Sequence, residues 1–375
     1  ERVERLVEAG FDRLLAEHRC EWARRWADAE VEIEGDPESE QAARFALFHL
    51  MGAVASEGEA AVGARGLSGG AYGGHVFWDA DVFTLPALAA VRPMAARAML
   101  EYRVRRLPAA REEAVARGLG GARFPWESAA DGRDVTPREA IGPRGVAVRI
   151  TTGDEEEHIV ADVAWAVAEY VRWSGDTEFR DGPGRDLMVE TARYWASRVE
   201  RDDEGRGHLR GVTGPDEYHT GVDDNAYTNV MARWNLRAAA ELVSGDGDAA
   251  EAEATVWREI ADGLADGYDD ESGTYEQFCG YDDLEPLLME HVARVPVAVD
   301  VLLGARRVRG SQLIKQADVL MLHHLVPGEV AAGSLAKDLA RYEPRTAHGS
   351  SLSPAIHSAL LARAGRPERA LELFR

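Results

Sequence analysis

The stretch EEHIVADVAWAVAEYVRW, Glu156 to Trp173, decides how the chain is read. Ile159, Val163, Val167, Tyr170 and Val171 fall at i, i+4, i+8, i+11 and i+12, which lines one face of a helix with apolar side chains. Further on, GPGRDLMVETARYWASRV repeats the pattern, with Pro183 near a first-turn position and Leu187, Thr191, Tyr194 and Trp195 on one side. Working outward, helical patterns run through 3–28, 38–56, 82–104, 223–242, 248–266, 284–304, 311–324 and 353–364. Alternating strands are not evident. About a dozen helices joined by long Gly- and Asp-rich loops predict an all-α chain, closed into one helical barrel rather than stacked as repeats.

Composition narrows the partners. The chain has 375 residues, a net charge of -23 and a pI near 4.9. Such a field repels nucleic acid and anionic membranes, and an anionic substrate needs a local cluster of donors. Cys20 and Cys279 give neither a disulfide framework nor metal-ligand spacing. No apolar run reaches the roughly 18 residues of a membrane span. Both ends fall inside helical patterns, so the chain reads as a piece of a longer protein.

Loops longer than about 12–15 residues in a compact domain tend to be functional, and the chemistry is sought there. The first, Gly63 to Asp81, ends in GGHVFWDAD. Trp78 offers a flat apolar face beside the acceptor Asp79, a pairing that suits a sugar ring. Equally, Trp78 is a core residue and Asp79 or Asp81 a helix cap. The second holds Trp126 and Glu127, which repeat the pairing or form a buried Trp with a salt-bridged Glu. The third, GVTGPDEYHTGVDDNAYTN, presents Asp216 and Glu217 after the Gly214-Pro215 turn. Asp216, directly after Pro, stabilises the turn through its backbone, which leaves Glu217 as the general acid unless it is a solvated carboxylate. Asp223-Asp224 start the following helix.

Two further stretches complete the set. Lys315 and Gln316 bring a cation and an amide ahead of an apolar helix, or are simply a surface pair. TAHGSSLSP, Thr346 to Pro354, places His348, Ser350 and Ser351 before a helix capped by Ser353. That helix end is an anion site, with Arg345 and Lys315 as the available cations, or else a Ser-rich cap alone.

Jointly these motifs resemble family 65 of the glycoside hydrolases, which includes maltose, trehalose and kojibiose phosphorylases. The matching pieces are GLSGGAYGGHVFWDAD, YRVRRLPAAR, GARFPWESA, EEEHIVADVAWA, ETARYWASR, GPDEYH with DDNAYTN, IKQADV and YEPRTAHGSSLSP, in family order over about residues 45 to 375. The resemblance implies an (α/α)6 barrel over 35–375, preceded by linker helices over 1–34, with the flanking β domains of full-length relatives absent. It implies Glu217 as general acid and Trp78, Asp79, Lys315 and Gln316 around the donor glucose. Trp126 and Glu127 fall where relatives contact the acceptor, and His348, Ser350 and Ser351 match the phosphate loop. Asp81 stands where many relatives carry Glu, which shortens a hydrogen-bond arm. Gly349 stands where many carry Asp, which loosens the loop.

Inverting hydrolysis needs an acid and a base, whereas inverting phosphorolysis needs only the acid, because phosphate is itself the nucleophile. A Ser/Ser/His cluster without a carboxylate fits phosphate. The expected activity is therefore phosphorolysis of a kojibiose- or trehalose-like α-glucoside to β-glucose 1-phosphate, with inorganic phosphate as co-substrate and no other cofactor or metal. The alternatives are an inverting α-glucosidase with Glu343 or another acid as base and a non-catalytic carbohydrate-binding protein. A cytoplasmic location, and a homodimer for the full-length protein, complete the expectation.

Overall fold

The computed structural model describes residues 2–54, 58–141, 145, 147–293 and 298–375. Its architecture is the expected (α/α)6 barrel. The Ile159–Ser174 helix lies deepest, with nearly every residue from Ile159 to Val167 buried. It packs on Pro93–Ala116, Pro183–Arg198 and Ala226–Val243. Ala226–Val243 in turn pairs with the amphipathic Asp248–Gly263 and touches Val319–Leu325, which packs on Ser353–Arg363. Pro367–Phe374 covers Ser353–Arg363, and Arg375 reaches Asp36 at 2.6 Å, so the last turn meets the start of the Pro37–Ala53 helix. One continuous apolar core runs from Val62 to Ala370.

Local chemistry sets several boundaries that periodicity misses. The 3–28 pattern is two helices, Arg2–Ala9 and Phe11–Ala29, divided at Gly10, whose φ of 75° suits glycine. The 82–104 pattern divides at Arg92, which Pro93 holds out of helical geometry (φ -147°, ψ 67°). Ahead of it lies a π-helical turn, Ala80–Thr84. Asp223-Asp224 do not start a helix. Asp224 sits at φ 53°, and Asn225 caps Ala226–Val243 by accepting from Thr228 N–H at 2.9 Å.

The 284–304 and 311–324 patterns differ most from expectation. Pro286 follows Glu285, and Glu285 bridges Ser311 as extended chain. Among the described residues a 3-10 turn, Met289–His291, and the short Val299–Leu303 helix form there, and residues 294–297 lie outside the described set. From Ser311 to Asp318 the backbone also stays non-helical. Ile314 N–H donates to Arg345 O (3.0 Å) and Ala347 N–H to Ile314 O (2.8 Å), a parallel contact. Three short antiparallel pairs decorate the loops, 139–141 with 147–149, 200–201 with 207–208, and 268–269 with 274–275. Two- and three-residue strands are too short to show as alternation in sequence. Among the described residues no helix is long and apolar enough to cross a membrane.

Candidate active site

The site is assembled from loops tied to each other by backbone hydrogen bonds. Val76 and Ser128 exchange two N–H···O bonds of 2.9 Å, which locks the Trp78-Asp79 loop to the Trp126-Glu127 loop. The Trp78 and Trp126 rings stack at 6.4 Å, and both are almost wholly buried, 2% and 8% exposed. Trp78 also meets His158 and Tyr227 edge-on at 5.0 and 6.2 Å. Glu127 is buried and bonds His75 Nδ1 at 2.7 Å, the salt-bridged arrangement. Neither Asp79 nor Asp81 caps a helix with its side chain. Asp81 turns inward to Arg103, with contacts of 2.5 and 3.3 Å, so its shorter arm belongs to the core and not to the site.

Asp79 remains partly accessible beside the π-helical turn. Burial pushes its carboxyl up to about 6, and the charges of Glu217 and Asp81 act in the same direction while Lys315 opposes them.

The third loop is fixed by Asp216 far more thoroughly than a turn requires. Its Oδ1 accepts from Lys315 N–H (2.7 Å) and Tyr218 N–H (3.3 Å). Its Oδ2 accepts from Gln277 Nε2 (2.9 Å) and contacts His219 Nδ1 (2.6 Å). Gly214 lies against Asn225 and Asp318, where a Cβ would fall 2.4 Å from Asn225 Nδ2 and 2.5 Å from Asp318 Oδ2. Gln316 Nε2 donates to Pro215 O at 2.7 Å, so the amide expected at the sugar also buttresses this turn. The result presents Glu217 on a rigid platform.

Glu217 Oε1 accepts from Lys315 Nζ at 2.6 Å, and both side chains keep partial exposure, 30% and 25%. Burial pulls the Lys315 ammonium down, but Glu217, Glu156 and Asp216 together act against it and the net shift is upward. The His348 loop abuts the same point. Gly349 N–H donates to Lys315 O (2.9 Å), and a Cβ at Gly349 would lie 3.4 Å from Tyr218 Oη and 3.5 Å from Lys315 Cγ, ordinary contacts. Gly349 thus leaves room for a side chain, and a backbone bond holds the loop.

His348 itself sits at φ 48° with Nδ1 3.0 Å from Ser353 Oγ. Burial, then the Arg369 charge, lowers it to about 4, so the ring is neutral at neutral pH. Ser353 is the first residue of its helix rather than the cap, and its hydroxyl serves His348. Ser350 Oγ accepts from Leu352 N–H (3.2 Å), and Ser351 is exposed. Arg345 is not aimed at this loop. Its Nε donates to Gln312 Oε1 (3.1 Å) and its Nη1 to Arg341 O (2.5 Å). A cleft of about 770 Å³ opens beside His348, lined also by Thr346, Arg369 and Glu343, whose Oε1 is held by Arg369 Nε at 2.8 Å.

Two charged residues escaped the residue-by-residue reading. Glu156 is wholly buried with neither carboxyl oxygen hydrogen-bonded, and its nearest partner is His158 Nε2 at 3.6 Å. His158 Nδ1 bonds Asp162 Oδ2 (2.7 Å), and Asp162 Oδ1 accepts from Tyr227 Oη (2.7 Å). Burial raises Glu156 to about 8, and Glu217 adds to that shift. The signal was present in EEEHIVAD, where His158 and Asp162 are i, i+4 on the most apolar helix of the chain. Among the described residues no His/Cys/Asp/Glu group is arranged to hold a metal.

The comparisons with known proteins agree with this architecture. A solved structure from the human microbiome, provisionally named kojibiose phosphorylase, superposes with a TM-score of 0.88 at 24% identity, covering 99% of this chain and 55% of that one. The kojibiose phosphorylase of Caldanaerobacter subterraneus subsp. tengcongensis is 39% identical over 392 residues, 98% of this chain and 50% of that protein. That of Thermoanaerobacter brockii is 37% identical over 386 residues, 97% and 49% respectively. The chain thus spans about half the length of these curated relatives. The profile described as "Glycosyl hydrolase family 65 central catalytic domain" matches residues 44–375, and the chain belongs to that family.

Proposed function

We propose that the protein is an inverting phosphorylase of an α-linked glucose disaccharide, kojibiose first among the candidates. One observation carries this reading. Glu217 is presented on a fixed loop, and the neutral His348 loop is hydrogen-bonded to the backbone of the residue that pairs with it, Lys315. Phosphate oxygen attacks the anomeric carbon while the bond to the glycosidic oxygen breaks, and Glu217 gives its proton to that departing oxygen. The products are β-glucose 1-phosphate and the released sugar. His348, Ser350 and Ser351 hold the phosphate, Trp78, Asp79, Lys315 and Gln316 the donor glucose, and Trp126 and Glu127 the acceptor. Neutral donors suit an anion here because they add no charge that the pocket must desolvate. Two relatives named kojibiose phosphorylase, at 39% and 37% identity, support the choice of disaccharide. Helices Arg2–Ala9 and Phe11–Ala29 serve as the linker, and the full-length protein acts in the cytoplasm as a homodimer.

A hydrolase reading has one observation in its favour, the position of Glu343 in the cleft beside His348. A single assay separates the two. Disaccharides of different α linkage are incubated with and without phosphate, and glucose and β-glucose 1-phosphate are quantified. Phosphate-dependent release with Glu217→Gln nearly inactive is the expected result. Equal glucose release without phosphate refutes it.

A further inference from the structure

His348 stands where its surroundings decide which ring nitrogen carries the hydrogen. Burial keeps the ring neutral at neutral pH, so one nitrogen donates and the other accepts. Ser353 Oγ lies 3.0 Å from Nδ1, and among the described residues that hydroxyl has no other hydrogen-bond partner. Ser353 is 1% exposed, so its hydrogen is turned away from bulk water. A buried hydroxyl places its hydrogen on an acceptor, and the acceptor within reach is Nδ1. Ser353 therefore donates to Nδ1, and the ring hydrogen is left on Nε2. Nε2 has no partner among the described residues and is not sealed in the interior, and His348 lines the cleft of about 770 Å³. The ring plane is held as well. His357, one helical turn beyond Ser353, is wholly buried and meets His348 edge-on, with centroids 4.7 Å apart. The left-handed backbone at His348, φ 48°, is one that a residue other than glycine keeps only where its surroundings hold it. Nearby groups point the same way. Ser350 Oγ accepts from Leu352 N–H (3.2 Å), which leaves its own hydrogen to give. Arg369, a cation of the cleft wall, is taken up by Glu343 and Glu372 at 2.8 Å each.

We propose that Ser353 is a positioning residue that fixes His348 as the Nε2–H tautomer, so that the side chains of this loop meet a tetrahedral oxyanion with hydrogens alone. This rests on the phosphorylase reading, in which His348, Ser350 and Ser351 hold the phosphate, and deepens it. The tautomer has a consequence for selectivity. A ring that donates from Nε2 needs only a bare oxygen on its ligand, which sulfate supplies as well as phosphate does. The opposite tautomer turns an acceptor outward. It favours hydrogen phosphate, whose own hydrogen it can accept, and rejects sulfate, which has none at neutral pH. The loop therefore recognises its anion by charge and shape, and does not read the protonation of the ligand.

Selective nitrogen-15 labelling of histidine reads the tautomer directly in the wild type, with the His348 signals assigned by their loss in His348→Ala. The expected spectrum has a hydrogen on Nε2 and a bare, hydrogen-bonded Nδ1. Steady-state rates supply the second readout. Sulfate should compete with phosphate, with an inhibition constant within about tenfold of the phosphate KM. Ser353→Ala should raise the phosphate KM about tenfold and leave the sugar KM within about twofold, and Ser353→Thr, which keeps the hydroxyl, should recover most of the loss. A hydrogen on Nδ1 in the wild type, or sulfate that fails to compete, overturns the proposal, and neither result depends on the Ser353 variants folding. A sugar KM that rises in step with the phosphate KM in Ser353→Ala overturns it too, because a merely structural role gives that pattern. Glucose release independent of phosphate fails the functional reading instead. A hydrogen on Nδ1 with turnover still dependent on phosphate fails this inference alone.

Discussion

Arg103→Met is the perturbation whose cost the structure defines best. The guanidinium is 1% exposed and Asp81 is 3% exposed. Arg103 donates from Nη2 and Nε to the two oxygens of Asp81 at 2.5 and 3.3 Å, and from Nη2 to Phe77 O at 3.4 Å. Methionine fills much of the stem's volume but leaves a carboxylate with no cation and a carbonyl short of a donor. Removing one partner of such a buried pair costs about 3–5 kcal/mol. That is a large share of the roughly 5–15 kcal/mol that holds a domain folded. Urea unfolding at constant m value measures the loss as a shift in midpoint.

The pH dependence supplies an internal check. Burial already raises the Asp81 carboxyl while Arg103 opposes the rise, so losing the cation raises it further. A raised native value contributes stability that is full below the unfolded value of about 3.9 and is lost as pH climbs through the native value. The deficit of Arg103→Met should therefore shrink as pH falls from about 8 toward 5. Arg103→Met combined with Asp81→Leu should recover most of the loss, because an apolar pair has no charge to desolvate. A single-variant cost below about 1 kcal/mol, or a deficit that grows on acidification, would refute the reasoning. Since Phe77 and Asp81 flank Trp78-Asp79, the sugar KM should rise with the stability loss.

The same sign governs Asp79→Asn. With a native value of about 6, the wild type loses stability on ionising there, so the variant should be more stable at pH 8, on the order of 2 kcal/mol, and equal near pH 4 by thermal melting. Glu156→Gln should behave alike over a wider window, equal near pH 4, already stabilising at pH 6 and more so at pH 9, since burial holds the native acid at about 8 while the unfolded one ionises near 4.3. Gly349→Ala, where a Cβ meets only ordinary contacts, should cost less than about 0.5 kcal/mol, whereas Gly214→Ala, aimed at Asn225 and Asp318, should cost more than about 2 and depress kcat, as denaturation and steady-state rates would register. His348→Ala should raise the KM for phosphate about tenfold or more while the sugar KM stays within about twofold, a split that a merely structural role for the ring would not give.

Much of this protein follows from its sequence alone. The 3.6-residue recurrence of Ile159, Val163 and Val167 marks a helix, and the apolar Val160, Ala161, Ala164, Trp165 and Ala166 on its other faces mark it as buried all round. Asp216 as a turn holder is local in part, through its bond from Tyr218 N–H two residues on. Other features had no local cause. Residues 311–318 forgo the helix their pattern favours because their backbone groups bond residues about thirty positions away, at Arg345 and Ala347. Glu156 in a run of acids looks solvated, and only the packing of Trp78, Trp126 and Tyr227 around its neighbour His158 shuts out water. The Glu217–Lys315 contact joins residues 98 apart, and no spacing rule predicts such a pair. Periodicity sets which residues are buried, since that depends on neighbours a turn away. Tertiary structure sets which charges meet, since Coulomb energy depends on distance and dielectric, and the fold alone supplies both.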